Sequence, residues 1–348
     1  MYSVIIRGGK VADGLGSPLY RADIAIKGDQ IAAVAKEIKE SAETVIDAEG
    51  MVIAPGFIDI HTHTDCTIFA NPLSDSKVMQ GVTTEVVGNC GIGSFPVTAE
   101  KASLLAKYLA MHEQLLAEED FTWSDFSQYA QCLTARGIGV NLAPLVAHGT
   151  LRIAVVGFDD RPPTAAETET MCQLLQTALE QGAWGLSTGL IYPPGSFADT
   201  NELITLAKVV AANDGLFTSH VRGESATLLA AIDEMIKIGE KSGARIQVSH
   251  LKAIGQENWG KGREALRRIL TARAQGIDIA ADQYPYAASS TSLTALVPQW
   301  ALAGGVDAMV SCLTSPQLHD RLAAEIGQEM KTRGGPEKVL VSYIMSEA

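Results

Sequence analysis

Apolar residues along this chain fall into short runs whose rhythm changes once, near residue 55. Before that point the runs are brief and broken by turn residues. Val4-Ile5-Ile6 leads into Gly8-Gly9, and Asp23-Ile24-Ala25-Ile26 turns at Gly28-Asp29 into Ile31-Ala32-Ala33-Val34. Val45-Ile46 and Val52-Ile53 follow. Short apolar segments bounded by Gly and Asp predict strands, and the Gly28-Asp29 turn predicts a hairpin. Residues 1–55 therefore read as a small all-β unit with too little core to stand well alone.

From residue 56 onward, strand-like apolar runs alternate with amphipathic helical stretches, the pattern of βα units around a parallel sheet. The first strand is Pro55-Gly-Phe-Ile-Asp-Ile-His61-Thr-His63. Thr83 to Cys90, Gly139 to His148, Trp184 to Thr188, Phe217 to His220, Ile246 to His250 and Ile277 to Asp282 complete seven strands. Between them, Thr164 with Glu167 forms a capping box, and an apolar stripe runs from Met171 to Leu179 ahead of Gly182. Further helices are expected from Thr200, within Gly223 to Gly243, and from Lys261 to Gln275. Seven strands with helical crossovers predict an α/β chain: a (β/α)8-type TIM barrel over 56–286, with its last βα unit absent. Residues 287–348 hold a Ser/Thr-rich loop, a helix started by Ser315-Pro316 and an apolar run Val339 to Ile344. The βα rhythm breaks down over these residues.

Composition narrows the function. A formal net charge of −13 with no Lys/Arg run argues against nucleic acid. No Gly-x-Gly-x-x-Gly follows a strand, so dinucleotide binding has no support. Five scattered cysteines, an odd number, argue for a reducing compartment rather than a disulfide framework. No stretch is apolar for long enough to cross a bilayer, and the N-terminus lacks the pattern of a signal peptide. The expectation is a soluble, cytoplasmic protein that engages neither membrane nor nucleic acid.

The candidate chemistry lies at the C-terminal ends of the strands, where a parallel barrel gathers its active-site groups. Side chains alternate on a strand, so His61 and His63 would point the same way, toward one metal ion. Cys90 ends strand two, His220 strand five and His250 strand six. His112, His148 and His319 are left over, and a structural role is expected for His148. Imidazoles and a thiolate suit Zn2+. Five ligands exceed what one tetrahedral zinc with an open position needs. Two positions with one shared ligand are the simpler arithmetic, and since a thiolate can bridge, Cys90 is the bridging candidate.

These residues stand within longer motifs. Pro-Gly-Phe-Ile-Asp-Ile-His-Thr-His is followed by Gly81-Val-Thr-Thr and Val-Gly-Asn-Cys-Gly, then by Gly185-Leu-Ser-Thr-Gly-Leu-Ile-Tyr192-Pro-Pro-Gly. Ser219-His-Val-Arg222-Gly-Glu224, Ser249-His-Leu-Lys252 and Asp282-Gln-Tyr284-Pro-Tyr286 extend them. Together they resemble the D-aminoacylase (N-acyl-D-amino-acid deacylase) branch of the amidohydrolase superfamily, over essentially the whole chain. The resemblance implies a barrel beside a small β-sandwich. It implies one metal position among His61, His63 and Cys90, and a tighter one among Cys90, His220 and His250. It also implies a grip on the substrate carboxylate by Lys252, Tyr192, Tyr284 and Ser289, with Arg222 assisting. Strand four carries no lysine to bridge two metals, which supports the cysteine bridge over a site for cyclic amides.

The implied reaction is zinc-dependent hydrolysis of the amide of N-acyl-D-amino acids, small-molecule partners, to a carboxylate and a free D-amino acid. The family's proton-taking aspartate ends strand eight, and no residue of this chain matches it. Asp282 ends strand seven and corresponds to another position. The alternatives are an inactive zinc-binding remnant, self-associating through an open barrel edge, and an amidohydrolase acting on cyclic amides.

Overall fold

In the computed structural model, which describes residues 1–112 and 116–342, the chain divides into two compact units, Met1–Phe57 and Ile58–Ala348. The first carries β1 (Tyr2–Arg7), β2 (Lys10–Val11), β3 (Tyr20–Arg21), β4 (Asp23–Lys27), β5 (Gln30–Ala35), β6 (Ala42–Asp47) and β7 (Val52–Ile53). They form two small sheets, ordered β5-β4-β1-β6 and β3-β2-β7. The expected hairpin is β4 with β5, antiparallel and closed at Gly28-Asp29. Alternation places Ile5 and Ala25 against Ile38 in one cluster and Val11, Ala22 and Ile24 in another. Buried Asp23 ties the strands to their loops, accepting from the backbone N–H groups of Gly8 (2.9 Å) and Ile38 (3.0 Å). Its charge is thus met by two donors, as burial of a carboxylate requires.

The barrel strands are β8 (Phe57–Asp59), β9 (Val82–Val87), β10 (Asn141–Pro144), β11 (Val146–Ala147), β12 (Gly185–Gly189), β13 (Leu216–His220), β14 (Arg245–Val248) and β15 (Ile279–Ala281). They form the sheets β10-β9-β8 and β11-β12-β13-β14-β15. The pairs β9–β10, β11–β12, β12–β13, β13–β14 and β14–β15 are all parallel. The third expected strand is split between two neighbours: β10 pairs with β9 and β11 with β12. Pro144 has no N–H to donate at the break, and Leu145 N–H still reaches Val87 O at 2.9 Å. Seven strand positions are therefore filled in order, and no eighth strand occurs among the described residues.

Helices cover the outside of this sheet where the apolar stripes predict them: Ala165–Glu180, Thr200–Ala212, Leu228–Ser242 and Lys261–Ala274. The Thr164/Glu167 capping box is present, and Gly243 closes its helix in the left-handed region. Leu186, Phe217 and Val248 from the strands meet Met171, Leu175, Leu206, Ile232 and Met235 from the helices, all fully buried.

Two further expectations need correction, and part of a third lies outside the described residues. The first barrel strand stops at Asp59 instead of running to His63, because the Asp59 carboxylate takes the His61 N–H (3.3 Å). The helix expected from Ser315-Pro316 starts at His319, after a separate turn in which Leu318 N–H bonds Ser315 O at 3.1 Å. The apolar run Val339 to Ile344 ends on Tyr343 and Ile344, which lie outside the described residues. No described helix is long and apolar enough to cross a membrane.

His148 fulfils its structural role. Its ring Nε2 pairs with Glu202 Oε1 at 2.8 Å, and Arg152 reaches the other carboxylate oxygen at 2.5 Å, all three side chains being buried. A buried guanidinium that loses its partner costs far more than an exposed pair does. Glu202→Gln should therefore lower unfolding free energy by about 3 kcal/mol or more. Asp233→Asn, which breaks the exposed Arg268–Asp233 pair, should cost under about 1 kcal/mol. Denaturant unfolding of both variants checks this, and equal losses would contradict it.

Candidate metal centre

Each candidate ligand sits just past, or at the end of, a barrel strand: His61 and His63 after β8, Cys90 after β9, His220 at the end of β13 and His250 after β14. Cys90 is placed by an unusual turn. Its own φ is 55°, and His250 has φ 38°. Left-handed backbone is uncommon for any residue with a side chain, and the surrounding packing must hold it there. The carbonyl of Cys90 lies so close to Gly189 on β12 that a Cβ on Gly189 would overlap it. Ser187 Oγ accepts from Gly91 N–H at 3.0 Å and donates to Gly88 O, and Tyr108 donates to Gly91 O at 3.0 Å. Asn89 Nδ2 donates to Val86 O at 3.0 Å. The loop is thus fixed on both sides of the sulfur.

That sulfur lies 3.3 Å from His61 Nε2 and 3.5 Å from His250 Nε2. The His220 and His250 rings are 4.4 Å apart between centroids, and those of His61 and His250 5.0 Å. Two sets of possible ligand atoms result, each mutually within 4.8 Å: His61, Cys90 and His250, and His220, Glu224 and His250. Four of the five expected residues are brought together. His63 is not: its ring stands 5.6 Å from that of His61, outside both sets. The strand's early end removes the alternation that would have aligned the two rings.

Two carboxylates hold the imidazoles from behind. Asp282 Oδ1 accepts from the His250 backbone N–H at 2.6 Å and faces His61 Nδ1 at 3.4 Å, an ion-pair distance without hydrogen-bond geometry. Its other oxygen takes Gln247 Nε2 at 2.9 Å. Glu224 Oε1 faces His250 Nδ1 at 3.1 Å and binds the Lys252 ammonium, while Oε2 is 3.7 Å from His220 Nε2. Sequence reasoning passed over Glu224 as a site residue. The available signal was a carboxylate four residues after a strand-end histidine.

Electrostatics at the cluster favour a thiolate among imidazoliums. Burial opposes charge on Cys90, but the His61 charge and the surrounding rings hold its thiol well below the usual range. Burial likewise opposes a charged His61, yet Cys90 and Asp282 raise it to about 10. For His250 the same opposition is overcome by Cys90 and Glu224, to about 9. Glu224, pushed up by burial, is brought down to about 2 by His220, His250 and Lys252.

A cavity of about 380 Å³ opens over this cluster. His63, Cys90, His220, Glu224 and His250 face it, as do Lys252, Tyr284, Tyr192 and Ser289. Lys252 Nζ lies 2.8 Å from His250 Nδ1 and 5.5 Å over the Tyr284 ring. The Tyr284 hydroxyl is buried without a hydrogen-bond partner among the described residues, and Tyr192 shares a 2.7 Å bond with Thr291. Arg222 does not reach the cavity. Its guanidinium is taken up by Glu234 (3.1 Å) and by the carbonyls of Ser196 (3.0 Å) and Ala198 (2.9 Å). His112, unassigned from sequence, lines the wall edge-on between Tyr108 and Tyr192, 4.9 Å from each. Burial pushes it down to about 3, so it is neutral.

The arrangement fits a metal ion on an independent ground. Both ring nitrogens of His220 are buried with no hydrogen-bond partner among the described residues, a cost that coordination would remove. Imidazole, thiolate and carboxylate donors together suit zinc.

The sequence profile described as "Amidohydrolase family" matches residues 44–327. The N-acyl-D-glutamate deacylase of Alcaligenes xylosoxydans xylosoxydans is 41% identical over 290 residues, 83% of this chain and 58% of that protein. The D-aminoacylase of the same organism is 36% identical over 328 residues, 94% of this chain and 66% of that protein. The crystal structure of Bordetella bronchiseptica N-acyl-D-glutamate deacylase, complexed with zinc and a phosphonate inhibitor, superposes with a TM-score of 0.77. The two are 40% identical, over 83% of this chain and 60% of that one. The chain thus spans between 58% and 66% of the length of these two curated relatives.

A ligating imidazole must be neutral, so an ion entering this cluster competes with protons. With His61 near 10 and His250 near 9, both rings are charged at neutral pH. Zinc uptake there should expel on the order of two protons per cluster, and affinity should climb as pH rises toward about 9. Calorimetry in buffers of different ionisation enthalpy counts the protons, and zinc affinity unchanged by pH would contradict the thiolate–imidazolium arrangement.

Proposed function

We propose, since the chain belongs to the amidohydrolase family, that its site serves zinc-dependent hydrolysis of the amide bond of N-acyl-D-amino acids. The observation that carries this reading is the convergence of His61, Cys90, His220 and His250 under the same cavity that Lys252 and Tyr284 line. In this reading Cys90 is the shared ligand, since its sulfur lies between the rings of His61 and His250. His220 and His250 would complete one position with it and His61 the other, while His63 lies outside both sets of possible ligand atoms. A bound zinc supplies Lewis acidity at the amide carbonyl and acidifies water.

The chain's own residues hold the substrate. Lys252 offers a cation to the amino-acid carboxylate, and the unpartnered Tyr284 hydroxyl gives that carboxylate a donor beside it. Ser289 and Tyr192 border the same space. Glu224 and Asp282 act from behind: Glu224 fixes the His250 ring and the Lys252 ammonium, and Asp282 the backbone under His250.

Hydrolysis also needs a group to take the proton of water and hand it to the leaving amine. Among the described residues, Glu224 is the one carboxylate that lines the cavity. Held near 2 by its cationic neighbours, it is a poor base at neutral pH. Asp282 is occupied by His250 and Gln247. This favours a second reading for the 348 residues taken by themselves: they bind zinc and N-acyl-D-amino acid without turning it over.

The full chain, titrated with zinc and assayed with N-acetyl-D-amino acids, tests both readings. We expect zinc-dependent ligand binding with no measurable turnover, and binding about tenfold weaker in Lys252→Met. Turnover would contradict the lack of a base, and failure to take up zinc would end the deacylase reading.

A further inference from the structure

On the deacylase reading, we propose that the site takes N-acyl-D-amino acids whose side chain bears a second carboxylate, and that Arg333 is the partner of that carboxylate. Two cationic side chains line the cavity, Lys252 and Arg333. Lys252 stands on the loop after β14. Arg333 stands at the C-terminal end of the helix His319–Thr332, far along the chain. The two segments touch: a Cβ on Gly255, three residues beyond Lys252, would meet the Thr332 carbonyl oxygen at 2.7 Å. Only the absence of a side chain at Gly255, which has φ +86°, lets the helix end come down onto this loop. The two charges are thereby brought to adjoining walls of one space.

Their partners differ. The Lys252 ammonium is met inside the cavity by Glu224. Arg333 Nε bonds Glu329 Oε1 at 2.9 Å, and one terminal nitrogen makes a long 3.4 Å contact with Ala295 O. The other terminal nitrogen has no hydrogen-bond partner among the described residues. Glu329 does not line the cavity, and its side chain is 41% exposed against 23% for Arg333. The wall therefore carries a guanidinium whose only anionic contact looks outward to water.

An uncharged side chain entering here would strip water from that guanidinium and return nothing, a costly exchange. A carboxylate would meet it in a charge-assisted bond. The α-carboxylate is already assigned to Lys252, so the second cation calls for a second acid group on the same ligand. Ile92, Met111 and Ile191 leave apolar wall for the acyl chain.

The test compares N-acetyl-D-glutamate with N-acetyl-D-glutamine, equal in size but lacking the side-chain charge, and with N-acetyl-D-leucine. All three are titrated calorimetrically into the zinc-loaded chain. Wild type should bind the glutamate about tenfold or more tightly than the glutamine. Arg333→Gln should bring the two within about twofold and bind N-acetyl-D-leucine at least as tightly as wild type, with zinc binding unchanged, which also reports that the variant is folded. Should Arg333→Gln fold poorly, Arg333→Lys should keep a reduced preference for glutamate. An undiminished preference in Arg333→Gln overturns the assignment. So does wild type that binds the leucine compound yet shows no preference for glutamate, an outcome that leaves the deacylase reading standing. If none of the three binds, both fall together.

Discussion

The sulfur of Cys90, 3.3 Å from one imidazole and 3.5 Å from another, joins parts of the chain that are far apart in sequence. His61 follows the first barrel strand and His250 the sixth, and the sulfur lies between their rings. Left uncompensated, such a sulfur would not be charged in a buried site. Its charge is sustained by the rings, and theirs by it, with Asp282 and Glu224 supplying further negative charge from behind. The left-handed backbone at Cys90 and His250 shows that local conformational preference yields to this arrangement, as it does at functional sites generally. The cavity, the grip of Lys252 and the orientation of His220 all depend on where that sulfur is held.

Much of this was legible from residue order. The change from short broken strands to a βα rhythm gave the two-part organisation, and the capping box at Thr164 and the glycine at 243 gave helix limits that the structure bears out. Strand-end positions of His61, Cys90, His220 and His250 were legible because parallel barrels send those ends to one face. The role of Asp23 in the N-terminal unit was not, since it rests on donors from Gly8 and Ile38, distant in sequence.

Three of the misreadings share a cause, competition by side chains for backbone groups or charges. Asp59 takes the N–H that would have continued the first strand, so His61 and His63 lose the alternation expected of them. Arg222 lies in a motif with His220, yet Glu234 and two carbonyls claim its guanidinium. Glu224 went the other way: it stood in the same motif with no role assigned and became the common partner of His220, His250 and Lys252. Such outcomes depend on which groups meet after folding. Strand periodicity carries no information about them.

That zinc would be held by a cysteine as well as by histidines is the claim from which the rest follows. X-ray absorption at the zinc edge of the loaded chain reads the ligand atoms directly. The account predicts one sulfur at about 2.3 Å together with nitrogen or oxygen ligands at about 2.0–2.2 Å, and the sulfur shell should vanish in Cys90→Ser. A wild-type spectrum fitted by nitrogen and oxygen alone would contradict it.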